Sequence, residues 1–362
     1  MILILYVEAG TGSFTLAKNV QYELNKCNVR SQLCSLHELL PPLLNRLLFG
    51  HYKNWCVNNK QYFSSIYQTQ WFYPTLYKLL PLMMHRKRSR LNKEILSLFH
   101  NVDAVIACSF FCGWFACYWQ KKSCRQFPLF GVLGDYTVSP GWKLPVDKLF
   151  IPFDFPSPVF DYIRRYGGNI TVSGIPVDTN KINRSRVKGN VLLCGGGWGL
   201  KITEETIATL LEQESLKRLI VLCGQNVNLY NELCSQLHES ISCGKLEVHG
   251  FINDMDTIYN QVDIVVTKAG GMTLTEAALN EKPIIISGYL PGHEQENMRV
   301  FVQQGAALFA EDTQALCQAI NTLTQDDNIK NLLIKKASFL VNRQASNLLC
   351  NIIIKDIQNV DA

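Results

Sequence analysis

The sequence predicts an α/β protein built from two doubly wound parallel sheets. Three observations carry that expectation. Short continuous apolar runs alternate with helical segments, the pattern of buried parallel strands joined by crossover helices. From Asn190 onward each short run ends in a Gly-containing turn. The rhythm also starts twice, at Met1 and again near Asn190, in a chain of 362 residues that is long enough for two domains.

In the first series Met1–Val7 is an uninterrupted apolar run, followed by a tight loop at Ala9–Ser13 and a helix over Phe14–Asn25. Val29–Leu36, Asn101–Ser109, Pro128–Leu133 and Lys148–Pro152 read as further strands. Residues 39–100 break the rhythm with Leu- and aromatic-rich helical pieces, cut by Pro41, Pro42, Pro74 and Pro81 and closed by Arg86, Lys87, Arg88 and Arg90. That composition fits an interfacial membrane helix. It also fits a core helix with a solvated basic end. The second series runs through Asn190–Cys194, Arg218–Cys223, Leu246–Gly250, Asp263–Thr267 and Pro283–Ser287, with Ser173–Asn190 as the linker. Ligands of open α/β sheets sit beyond the carboxyl ends of such strands, so a cleft between the halves is the expected site.

Apolar residues make up 47% of the chain and charged residues 18%, which excludes a disordered tail protein. The net charge of +5 is too mild to indicate a nucleic-acid partner. It is unevenly spread. Residues 1–175 hold 19 basic and 9 acidic side chains, and the remainder 16 and 21. An anionic phospholipid surface is therefore a candidate partner of the first half. The thirteen cysteines follow no disulfide spacing, and Cys108, Cys112 and Cys117 read as buried thiols rather than metal ligands. The expected compartment is reducing. The segment MILILYVEAG has no basic stretch ahead of its apolar run, so it reads as a strand rather than a signal peptide. No run of ~18 uncharged apolar residues exists, so any membrane contact is expected to be peripheral.

The strongest local signal is the run from Thr267 to Glu276. Gly270 and Gly271 let backbone amides approach a phosphate, a helix opening near Thr273 adds its positive end, and Lys268 adds a point charge. Glu276, placed in the first helical turn, can reach a ribose diol or serve as a capping residue. Gly195–Gly199, with Gly196 and Gly197 at its centre, is a weaker Gly-rich match. Pro291–Asn297 offers further polar groups at a helix start.

Together these pieces resemble the monogalactosyldiacylglycerol synthase and processive diacylglycerol glucosyltransferase group of glycosyltransferase family 28. Gly174–Val177 resembles that group's GIPV. Cys223, Gly224 and Asn226 resemble its CGxN turn, and Gly250-Phe251 its GF turn. Lys268 to Glu276 matches KxGGxTxxE, through Gly270, Gly271 and Thr273. Pro291 to Asn297 matches PGQEExN, through Gly292, Glu294 and Asn297, with His293 in place of the first Gln.

The resemblance implies a GT-B architecture, two Rossmann-like domains facing a cleft. Residues 1–173 would form the acceptor and membrane-docking domain, 174–340 the UDP-sugar domain, and 341–362 a helix returning toward the first. It further implies an inverting hexosyl transfer from a UDP-sugar to a membrane lipid, diacylglycerol in the first instance, with no cofactor and no metal. The expected location is cytoplasmic, peripheral on the inner face of the membrane. The backbone at Gly250 and Phe251 would hold the nucleobase. The acceptor side departs from the pattern. The family's GxGH loop is Gly10-Thr11-Gly12-Ser13, and its TDxxxHxxW motif runs from Gly134 to Trp142 with Ser139 at the His position. Asp135 is then the best candidate for general base and Glu8 the second, since a serine needs a partner to act as one. His37, His51, His85, His100 and His238 match no motif and read as surface or core residues. Two alternatives stay open. One is an N-acetylglucosaminyl transfer to a lipid-linked precursor. The other is a non-catalytic relative that binds UDP-sugar or lipid.

Overall fold

The computed structural model describes residues 1–8, 10–50, 69, 72–84, 90–179, 182, 184–199, 202–252 and 254–360. Arg86, Lys87, Arg88, His51 and His85 lie outside the described residues, as does most of the aromatic stretch before Phe72. The chain divides into two compact units. One holds Met1–Val177, Pro291–His293 and Arg343–Ala362, and the other Asp178–Leu290 and Glu294–Asn342.

The first unit is a six-stranded, all-parallel sheet in the order β2-β1-β3-β4-β5-β6. Its strands are β1 (Ile2–Tyr6), β2 (Ser31–Ser35), β3 (Ala104–Ala107), β4 (Leu129–Val132), β5 (Lys148–Ile151) and β6 (Asn169–Val172). The apolar runs of the sequence become β1, β3 and β4 because both faces of a parallel sheet are covered by helices. Leu3, Ile4, Val105, Ile106 and Leu129 are all fully buried. The helix Gly12–Lys26 packs over β1 through Leu16, Ala17, Val20 and Leu24. The helix Ala345–Val360 joins this unit. Ser346 donates to the Val177 carbonyl at 2.9 Å, and Lys148 pairs with Asp356 at 2.5 Å.

The segment 72–84 is a helix (Phe72–Met84) with two different faces. Tyr73, Leu80 and Met84 are buried in the unit's core, and Tyr77 stacks on Trp114 with ring centroids 5.9 Å apart. Lys78 and Leu79 are exposed. Trp142 is another core anchor. A Cβ on Gly131 would stand 2.6 Å from its ring, and one on Gly113 3.2 Å from it, so the indole is wedged against β4 and the helix Phe110–Ser123. Cys108, Cys112 and Cys117 are buried, and burial pushes the Cys108 and Cys117 thiols up to about 12.

The second unit is also six-stranded and all-parallel, in the order β12-β11-β10-β7-β8-β9. Its strands are β7 (Asn190–Cys194), β8 (Arg218–Leu222), β9 (Leu246–His249), β10 (Ile264–Lys268), β11 (Ile284–Gly288) and β12 (Leu308–Phe309). Buried charges lock the end of this sheet away from the Gly-rich loops. Lys330 is paired with Asp263 at 2.7 Å, both almost completely buried. Lys282 is fully buried and donates to the Val262 carbonyl at 3.1 Å and to the Ser185 carbonyl. Burial lowers Lys282 to about 8, with the Arg186 charge adding to the effect. Breaking such a pair strands a charge, so these contacts fix which way the strands enter the sheet.

Gly131→Ala is expected to destabilise the protein by roughly 1–3 kcal/mol, because its methyl must displace both Trp142 and Leu149 in a filled core. Urea unfolding followed by tryptophan fluorescence measures it, and an unchanged midpoint would contradict the packing described.

Candidate functional site

In the second unit β7 and β10 are neighbours whose continuations leave in opposite directions, toward β8 and toward β11. That makes their carboxyl ends the switch point of the sheet, where loops diverge and leave a crevice. The loop after β7 enters a single turn of 3-10 helix, Gly196–Trp198. The loop after β8 nests against it. Gln225 N donates to the Gly197 carbonyl at 2.9 Å, and Cys223 N to the His249 carbonyl at 2.8 Å. Gly224 has φ +59°, and a Cβ there would stand 2.6 Å from Gly196 O and 2.7 Å from Gly197 O. No other residue fits. The position of a Gly250 Cβ lies 3.8 Å from Gly224 O, so the third loop completes the row. Phe251 follows it, half exposed. Asn226 caps the helix Val227–Gln236 by accepting from Leu229 N at 3.2 Å.

The other wall is the turn after β10. The helix Gly271–Leu279 opens two residues before Thr273, because Gly270 passes straight from an extended conformation into the first turn. Glu276 therefore lies on the second helical turn rather than the first. Its N-terminus has no side-chain cap, leaving amide donors for a ligand or water. The Lys268 side chain crosses the crevice. A Cβ on Gly196 (φ +67°) would collide with Lys268 Cε, and Lys268 Nζ lies 3.2 Å from the position a Gly270 Cβ would take. Lys268 is ion-paired with buried Glu294. Glu294 also accepts from Leu290 N at 2.7 Å. Asn297, fully buried, donates to the Ala269 carbonyl at 3.0 Å and fixes the turn from behind.

Glu276 is half-buried, and Tyr259, fully buried, donates its hydroxyl to Glu276 Oε2 at 3.4 Å. Burial raises the Glu276 carboxyl from 4.5 to about 7, the Asp256 charge adds to this, and the Tyr259 hydrogen bond opposes it. No sequence motif marks Tyr259; only the fold brings it to Glu276.

In the first unit the switch point lies between β1 and β3. Ser13 closes it. Its hydroxyl accepts from Val7 N at 3.2 Å and donates to the Cys108 carbonyl at 3.4 Å. Gly10 and Gly12 flank the turn, and Gly12 opens the helix Gly12–Lys26. Glu8 is exposed at the same strand end, and its N–H donates to His37 Nδ1 at 3.3 Å. A backbone N–H can only donate, so the neutral ring carries its proton on Nε2 and offers a donor rather than a base. Burial lowers the His37 pKa, partly offset by Glu8.

Asp135 is half-buried beyond the end of β4. Ser139 is buried and caps the turn Pro140–Trp142, accepting from Gly141 N at 3.2 Å. Two tyrosines of the helix Phe72–Met84 hold that turn. Tyr73 hydrogen-bonds Ser139, and Tyr77 donates to the Gly141 carbonyl at 2.8 Å. Gly292 and His293 group with this unit, and His293 begins the helix His293–Gln303. Among the described residues no three His, Cys, Asp or Glu side chains gather as a metal site.

Two parallel, doubly wound units define a GT-B protein. More particularly, residues 190–345 match the glycosyltransferase family 28 C-terminal domain. Over 258 residues the chain is 26% identical to a processive diacylglycerol beta-glucosyltransferase of Bacillus subtilis (strain 168), spanning 67% of each chain. It is 24% identical over 363 residues to the protein of that name from Bacillus licheniformis, covering 94% of this chain and 93% of that one. The solved structure of Anabaena Alr3699/HepE in complex with UDP-glucose shares the fold, with a TM-score of 0.57 at 14% identity and 98% of this chain and 99% of that one covered.

The raised Glu276 carboxyl has a measurable consequence for stability. The unfolded chain releases this proton near 4.5, the folded protein only near 7, so stability falls as pH rises through that window and stays lowered above it. Glu276→Gln is expected to be more stable than wild type at pH 8 by roughly 1–3 kcal/mol, with no difference near pH 4. Urea titrations at both pH values measure this; equal stability at pH 8 would contradict it. Tyr259→Phe should move the Glu276 midpoint higher still, as read by carboxyl NMR.

Proposed function

We propose that this protein is an inverting glycosyltransferase that moves a hexose from a UDP-sugar to a membrane lipid, with diacylglycerol as the acceptor. The observation that carries the reading is the crevice at the switch point of a family 28 C-terminal domain. It combines Gly-lined loops, an uncapped helix start, Lys268 and a carboxylate one turn further along. Each has a task in holding a nucleoside diphosphate sugar. Amides after Gly270 and Lys268 face the diphosphate, Glu276 accepts from the ribose hydroxyls, and Gly250 and Phe251 meet the base. The relatives named as diacylglycerol glucosyltransferases support the lipid acceptor and glucose as the first donor to test.

In the reaction the acceptor hydroxyl oxygen attacks the sugar C1. The bond from C1 to the diphosphate oxygen breaks and its electron pair leaves with UDP. The helix start and Lys268 stabilise the charge that develops there, with no metal required. Asp135 accepts the hydroxyl proton.

An anionic membrane surface fits the first unit as the place where the acceptor is met. The helix Pro42–Phe49 exposes Leu43 and Leu47 beside Arg46, and Leu79 and Lys78 are exposed on the helix Phe72–Met84. Apolar side chains edged by cations bind such surfaces. No helix among the described residues is long and apolar enough to cross a membrane.

UDP release from UDP-glucose, UDP-galactose and UDP-N-acetylglucosamine, with and without diacylglycerol in anionic vesicles, tests the reading. Lipid-dependent release from one donor is expected. UDP binding without release from any donor would favour the non-catalytic alternative. Asp135→Asn should lower turnover by at least about a hundredfold with donor binding retained; near-normal turnover would remove Asp135 as base. UDP-glucose affinity should rise with pH through about 7, the midpoint of Glu276 ionisation, and Glu276→Ala should abolish that dependence and weaken binding about tenfold or more.

A further inference from the structure

Glu294 lies in the segment that the sequence resemblance assigns to the donor, yet its carboxylate is already engaged within its own unit. One oxygen takes Lys268 and the other accepts from Leu290 N at 2.7 Å. Only about 4% of its side chain is exposed, whereas Lys268 retains 16%. The Lys268 stem is held against Gly196, and its ammonium lies between Gly270 and Glu294, with the Gly270 Cβ position 3.2 Å from Nζ and 3.8 Å from Glu294 Oε1. The ammonium therefore borders the crevice and the carboxylate stands behind it.

We propose that Glu294 is the counter-ion of Lys268, competing with the donor's diphosphate for that ammonium, rather than a ligand of the sugar. The inference rests on the reading of the crevice as a UDP-sugar site. With the crevice empty the pair is neutral. When a diphosphate enters, Lys268 Nζ turns donors toward it while Glu294 keeps its bond to Leu290 N. When the sugar has left, the carboxylate draws the ammonium back and opposes the two negative phosphates at short range, which speeds UDP departure. Two like charges within a few ångströms in a partly desolvated site interact strongly enough to set a release rate.

The competing role, a sugar ligand, predicts effects of the opposite kind, and three ligands separate them. Uridine reports the base and ribose, UDP adds the diphosphate, and UDP-glucose adds the hexose. Calorimetric titration of each into wild type, Glu294→Gln and Lys268→Met is the experiment. Gln keeps the shape and the acceptor for Leu290 N but removes the charge. Glu294→Gln is expected to bind UDP about tenfold more tightly, UDP-glucose tighter to a similar degree, and uridine unchanged. Lys268→Met should weaken UDP and UDP-glucose and leave uridine unchanged. Weaker UDP-glucose with unaltered UDP in Glu294→Gln would make Glu294 a sugar ligand and overturn the inference. Uniform loss of all three ligands in that variant, or UDP binding untouched by Lys268→Met, would overturn it as well. A wild-type protein that binds none of the three would remove the donor-site reading itself, and the inference with it.

Discussion

A parallel sheet wound in both directions from its middle must part its loops somewhere, and in the second unit that place is between β7 and β10. The rest of the site depends on this gap. Strands cannot fill it, because their carbonyl ends point into it. Gly196 and Gly224 can carry no side chain there, because neighbouring groups approach to contact distance. What remains is a cradle of backbone donors with one long cation laid across it. Lys268 can reach the crevice only because Gly196 has no Cβ, so the glycine and the lysine are a single device made from two loops.

The two units meet the same topological constraint with opposite chemistry. In the first, the gap between β1 and β3 is closed by a hydroxyl, with Ser13 bridging Val7 N and the Cys108 carbonyl. In the second, Lys268 lies across it, paired with Glu294. A bridged gap is rigid and neutral; a gap lined by a paired cation is poised for an anion. Polar groups near the second gap are tied from behind by groups the ligand would not touch. Asn297 holds the Ala269 carbonyl, Leu290 N holds Glu294, and Tyr259 holds Glu276. Such ties keep costly half-buried charges in place before any substrate arrives.

The fold was legible because parallel strands buried on both faces leave uninterrupted apolar runs, as in Leu192 and Leu193 or Ile284–Ile286. The edge strands β6 and β12 escaped. Asn169–Val172 has exposed ends and no fully buried residue, so it lacks a continuous apolar run, and Leu308–Phe309 is too short to form a pattern. The Gly-rich loops were legible too, since backbone approach leaves a mark that residue type alone carries. The pairings inside the site were not. Lys268 and Glu294 are 26 positions apart, Tyr259 and Glu276 17 apart, and only the sheet order makes them neighbours. The helix Phe72–Met84 shows why composition could not choose between core and membrane contact. Tyr73 and Leu80 are buried in the core while Leu79 is exposed on the same helix, so one element carries both kinds of apolar residue.

The serines at positions 13 and 139 bear on how the acceptor is activated. Both are spent on backbone partners, Ser13 across the β1–β3 gap and Ser139 at the Pro140–Trp142 turn. The sequence resemblance places an imidazole at each position, and a serine so engaged does not replace it as a base. His37 does not restore it, since its Nδ1 is taken by Glu8 N–H. A carboxylate is a weak base toward a free alcohol. It becomes sufficient once the oxygen has begun to bond to the sugar carbon, because the attacking hydroxyl then turns strongly acidic. On the reading proposed for Asp135, bond formation must run ahead of proton transfer. The electrostatic burden then shifts to the departing diphosphate, which is the side on which the second unit gathers its helix start and its lysine.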